Sequence, residues 1–175
     1  MQQDKIKVII VNRQSEVKVP TGIRMLIRRC CNAVLKLENF KGSVEVTVML
    51  VDNPYIQELN RQYREKDVPT DILAFPMTRD DGRYEVDTES GFQILGDIVI
   101  SLEKVMDQCK IYGSTFRQEI AYLTAHGVLH LLGYDHEKSG TDRSHMRERE
   151  ERVLDLLGFK SATSFISSQN LKDNF

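Results

Sequence analysis

The chain has 175 residues, the size of a single domain able to bury a sizeable core, and its 41% hydrophobic and 29% charged content is ordinary for a globular protein. A formal net charge of −2 excludes a global basic field, so any hold on nucleic acid must come from a local patch. The opening stretch MQQDKIKVIIVNRQ lacks the pattern of a cleavable leader and no apolar run reaches membrane-spanning length, which predicts a cytoplasmic protein with no membrane partner.

Along the chain, the β-branched run from Ile6 to Asn12 predicts a strand. From Pro20 to Glu38, apolar residues at Ile23, Leu26, Ile27, Cys30, Ala33, Val34 and Leu37 recur at helical spacing, with Pro20 and Thr21 as the start signal. Gly42 breaks the chain before a buried strand from Val44 to Val51. Asp52 or Asn53, with Pro54 behind it, opens a helix to about Arg64. A polar loop precedes a short strand from Asp71 to Phe75, stopped by Pro76. Residues 79–90 read as an exposed excursion turning at Asp81-Gly82. Ile94 to Ser101 is a further strand, and Ser101 caps a helix from Leu102 to about Ile111. A long helix runs from Phe116 to Leu132, and Thr141 or Asp142 starts the last one, ended by Gly158.

These elements predict an α+β fold: a small mixed four-stranded sheet packed with about five helices, in one domain over residues 1–159. The Ser- and Asn-rich stretch 160–175 reads as a partly disordered tail. Cys30, Cys31 and Cys109 have no chelating spacing and are expected to be small buried hydrophobes of a reducing compartment.

Three of the four histidines fall inside residues 125–136, AHGVLHLLGYDH. His126 and His130, four apart on a helix, leave it about 40° apart on one face, so both imidazoles can reach one ion. Gly133 can end the helix and turn the chain, through Tyr134 and Asp135, to bring His136 to the same point. Three imidazoles with an open fourth position describe a catalytic site for one divalent metal, most simply Zn2+. Burying two histidines in a helix of Leu, Val, Ala and Gly would otherwise be costly.

The spacing HxxxHxxGxxH is that of the metzincin proteases, HExxHxxGxxH, but their general base is replaced here by Gly127. Met146 falls within a predicted helix, not in a Met-turn. Peptide hydrolysis is therefore disfavoured. Asp135, beside the third histidine, is a candidate to orient a ligand or accept a proton, or simply to cap the turn. Glu119, seven residues before His126, is a weaker candidate of the same kind, and equally a first-turn Glu suited to the helix dipole. Asp71 reads as structural, and His145 as a surface residue of a final helix whose exposed face carries RERE, residues 147–150.

The block HGVLHLLGYDHE, residues 126–137, together with LNRQYREKDVPTDILAFP, residues 59–76, and LGDIVIS, residues 95–101, resembles the YbeY family of endoribonucleases and rRNA maturation factors. Ala74 stands where that family commonly has Ser. The resemblance implies a small α+β domain with a metal beside its sheet, held by His126, His130 and His136. It further implies that Arg64 is the basic residue needed for activity, and that His126 has both a ligand and a catalytic role. The implied activity is single-strand-specific cleavage of RNA in maturation of the small-subunit rRNA 3′ end and in ribosome quality control. Its partners would be rRNA and the small subunit or its associated proteins. Read chemically, Arg64 can grip a phosphate through its planar fork, or be a solvated charge at a helix end. Arg24, Arg28 and Arg29 on the first helix and Arg61, Arg64 and Lys66 around the second could line a positive groove. Two other readings compete: a non-enzymatic ribosome-associated factor with a structural metal, and a metallopeptidase of atypical mechanism.

Overall fold

The β-branched run IKVIIVN forms β1 (Ile6–Asn12), and the amphipathic stretch after it forms α1 (Ile23–Leu37). The computed structural model describes residues 4–135 and 139–159. In chain order there follow β2 (Val44–Val51), α2 (Asn53–Arg64), β3 (Ile72–Pro76), β4 (Glu85–Val86), β5 (Gln93–Ser101), α3 (Leu102–Tyr112), α4 (Phe116–Leu131) and α5 (Gly140–Leu156). The strand order is β1-β2-β5-β3, with β4 also paired to β5. β1, β2 and β5 run parallel, while β3 and β4 run antiparallel to β5. This is the mixed α+β architecture expected from the sequence, with one strand more than the four anticipated. Glu85 and Val86 are both exposed, so no burial pattern marks β4; it arises by backbone pairing after the turn at Asp81-Gly82.

Helix starts follow cap chemistry. Asp52 accepts from the Tyr55 amide at 3.0 Å and Ser101 from that of Lys104 at 3.3 Å. Thr115 and Gln118 form a reciprocal capping box on α4. Ser139 accepts from the Asp142 amide at 3.1 Å, so α5 begins slightly before Thr141. α1 has no side-chain cap: Gly22, at φ 87°, turns the chain, and the helix opens at Ile23 instead of Pro20.

Side chains alternate across the sheet. Val44, Val46, Val48 and Leu50 of β2, with Ile98 and Ile100 of β5, join the core built with α1, α4 and α5. Among the described residues, the opposite face buries Val51, Leu73 and Val99 against Ile56 of α2. β2 and β5 slip register between Glu45 and Val46, whose partners are Ile94 and Gly96. Gly96 has φ 139°, and a Cβ there would stand 2.1 Å from the Phe75 carbonyl oxygen, so only glycine lets β3 close on β5. Cys30 and Cys31 are fully buried, and burial pushes both thiols well above their ordinary range, as inert core groups.

Candidate metal centre

α4 lies in the middle of the larger core and is buried on nearly every side. Gly127 is the point where it touches the sheet: a Cβ there would come within 2.9 Å of Ile98 and 3.0 Å of Ile72. Position 127 therefore faces β5 and β3, and its glycine is a packing requirement. A Glu introduced there would be driven into the sheet, which removes the protease-like base on structural as well as sequence grounds.

His126 and His130 are brought together as their spacing predicts. Their Nε2 atoms are 3.1 Å apart and the rings meet edge to face, with centroids 4.6 Å apart. Two nitrogens each 2.0–2.1 Å from a tetrahedral zinc ion stand about 3.3 Å apart, so the pair fits two positions of such a site with almost no movement. Among the described residues no three His, Cys, Asp or Glu side chains close on one point. The third expected ligand, His136, lies outside the described residues.

The other nitrogen of His126 has a partner that sequence reasoning missed. Glu150 of α5 places Oε1 2.5 Å from His126 Nδ1 and is only 4% exposed. An ionised carboxylate can only accept, so Nδ1 carries the hydrogen and, in the neutral ring, Nε2 keeps its lone pair facing His130. The sequence places residues 147–150 on the exposed face of the last helix, and Glu150 corrects that expectation. It sits four residues after Met146 and three and four before Val153 and Leu154, all buried, so a Glu at core spacing was the available signal. Tyr122 adds a wall beside His126, with ring centroids 5.6 Å apart.

Two tyrosines fix the end of α4. Tyr84 donates to the Leu131 carbonyl at 2.7 Å, and Tyr134 donates to Glu38, the C-cap of α1, at 2.7 Å. Burial raises the pKa of both phenols, which keeps them protonated as donors. Glu38 also meets Arg149 at 3.3 Å, tying α5 to the same carboxylate.

The remaining candidates are dispersed. Glu119 is buried in the first turn of α4, where it accepts from Ser114 at 3.0 Å. Asp135 is half-buried in the turn beyond Gly133, whose φ of 98° ends the helix. Asp71 accepts from Gln108 at 2.9 Å and fastens β3 to α3, a structural role. His145 is exposed. Arg64 is exposed at the end of α2, in no ion pair among the described residues, and Glu65 follows it in a left-handed turn held by Lys66 N–H to the Asn60 carbonyl. The supposed single groove is not formed. α1 covers one face of the sheet and α2 the other, so their cations belong to separate surfaces. Arg24 also donates to the Ile10 carbonyl, and Arg61 pairs with Glu58.

Comparison with known proteins gives a consistent picture. The family profile described as "Endoribonuclease YbeY" matches residues 9–158. A protein of that name from Carboxydothermus hydrogenoformans is 47% identical over 151 residues, covering 86% of this chain and 97% of its own. One from Caldanaerobacter subterraneus subsp. tengcongensis is 43% identical over 160 residues, covering 89% and 99%. Among solved structures, the solution structure of TM1509 from Thermotoga maritima aligns with a TM-score of 0.57 and 26% identity, covering 89% of this chain and 95% of that one.

Proposed function

Since this chain belongs to the YbeY family, whose members bear the name endoribonuclease, we propose that it cleaves single-stranded RNA with a divalent metal, zinc by preference, at the His126–His130 pair. The observation that carries the metal assignment is the 3.1 Å separation of the two Nε2 atoms, with Nδ1 of His126 already committed to Glu150. His136 is the third ligand in this reading. When bound, such an ion supplies Lewis acidity toward a phosphodiester and makes water acidic enough to act near neutral pH without a carboxylate base.

The chain's own groups do the rest. Arg64, exposed and in no ion pair among the described residues, holds a phosphate of the substrate by a charge-assisted bidentate contact. His126 serves both as a ligand and in a catalytic role, as the family resemblance implies. Asp135 is positioned in sequence to orient His136 or accept a proton, and Glu119 supports the base of α4. Either water or the RNA 2′-OH is a chemically sufficient nucleophile. The substrate we assign is the small-subunit rRNA 3′ end, within rRNA maturation and ribosome quality control, in the cytoplasm with the small subunit or its proteins as partners. Among the described residues, no helix is long and apolar enough to cross a membrane.

The test is cleavage of a small-subunit rRNA precursor by metal-quantified protein, comparing the wild type with Arg64→Ala and His130→Ala, each checked for folding by circular dichroism. The wild type should hold about one metal per chain and cut the RNA. Folded Arg64→Ala should keep the metal and lose at least about tenfold in rate, the worth of one charge-assisted phosphate contact. Equal cutting by all three proteins would leave a ribosome-associated factor with a structural metal as the better account.

A further inference from the structure

We infer that Glu150 is a positioning residue for this centre: delivered from α5, its carboxylate fixes His126 as the Nδ1–H tautomer and so sets how tightly a divalent cation is held at Nε2. The inference rests on the proposed metal centre and assigns a role to a residue outside the histidine motif.

A carboxylate at 4% exposure is costly to bury unless it has a strong partner. The described partner of Glu150 is the one imidazole nitrogen that faces away from His130, 2.5 Å from Oε1. A carboxylate behind a histidine restrains the ring's rotation, selects the tautomer and raises the basicity of the far nitrogen, all of which favour a cation there. α5 is registered to make that contact. Met146, Val153 and Leu154 on the same stripe are buried in the main core, and neighbouring Arg149 pairs with Glu38, the C-cap of α1, at 3.3 Å. Glu150 is thus set by packing on both sides of it along the helix, so its place does not depend on an ion being present.

The full-length protein, stripped of metal and checked by urea denaturation, is titrated with zinc in competition with a chromogenic chelator, as wild type, His130→Ala, Glu150→Gln and Glu150→Ala. Glutamine keeps the shape and can still accept from Nδ1–H through its carbonyl, but lacks the charge; alanine removes both. Zinc affinity should fall about 10- to 100-fold for Glu150→Ala and by a smaller factor for Glu150→Gln, the range typical when a histidine ligand loses its supporting partner. Metal-free Glu150→Gln should unfold at nearly the wild-type urea midpoint. If the wild type binds zinc, His130→Ala does not, and Glu150→Gln and Glu150→Ala bind as tightly as the wild type, the positioning role is wrong while the metal centre stands. The role is equally refuted if the two Glu150 variants lose only urea resistance. If the wild type itself takes up no zinc, the metal centre fails and this inference with it.

Discussion

Beneath α1, α4 and α5 the sheet buries a continuous apolar layer, whereas beneath α2 the buried set is Val51, Ile56, Leu73 and Val99. The two histidines sit on the helix embedded in the first layer; Arg64 hangs from the end of the helix covering the second. The difference matches what the proposed function would ask of each group. Two nitrogens sharing an ion must be held to a fraction of an ångström, which close packing provides. A guanidinium meeting a phosphate on a flexible RNA can search with its own long side chain, so a thinner support suffices. Tyr63, next to Arg64, illustrates the looser side: it is 65% exposed and rests edge-on against Phe75 at 5.1 Å between ring centroids.

The largest expected effect removes the contrast altogether. Gly96→Ala sets a methyl group against the Phe75 carbonyl and should cost about 5 kcal/mol, detaching β3 and with it both layers; little soluble folded protein should be recovered. Next, Ile98→Ala should cost about 4 kcal/mol and Ile56→Ala about 2, because the smaller cluster can collapse onto the gap; urea denaturation of the pair measures this. In the proposed centre, zinc affinity should drop only in Ile98→Ala, since Ile98 packs against Gly127, which lies between the two histidines on α4. Equal costs with equal zinc affinity would mean that the two layers support their groups alike.

A smaller effect is expected at Gly127→Ala. The gain in helix propensity of about 1 kcal/mol is outweighed by overpacking against Ile98 and Ile72, leaving a net loss of about 1 to 2 kcal/mol in the same assay. The smallest concerns Asp97, whose carboxyl is pushed up chiefly by burial and then by the neighbouring Glu45. A carboxyl with a raised folded-state pKa holds its proton more firmly when folded, so ionising it costs stability as pH rises through the acid range. Asp97→Asn should therefore stabilise at neutral pH by about 0.5 kcal/mol or less, given partial exposure, with the gain vanishing in acid. A gain that persists at low pH would assign it to packing.

Much of the fold was legible because it is written locally. Period and cap chemistry locate β1, β2, β5 and the five helices, including the Asp52 and Ser101 starts. Features without a local signal escape such reasoning: β4 has no buried face, and the start of α1 is set by a left-handed Gly22 in place of a capping side chain. At the site, the His126–His130 juxtaposition follows from helical spacing alone. Glu150 does not, because its role needs α5 to pack across α4 from 24 residues away, and its charge disguised it as part of a solvated face. The failure of the α1 and α2 cations to share a groove is likewise topological: which side of a sheet a helix covers is set by the connections, not by its composition.

Glu38, at the C-terminal cap of α1, holds Tyr134 through one carboxylate oxygen and Arg149 of α5 through the other, so one group ties together two residues fifteen positions apart. Bringing together the ends of a free loop of that length costs about 2 kcal/mol in chain entropy. Here that cost falls on folding, and in the proposed centre a cation recruiting His136 would have correspondingly less entropy to overcome.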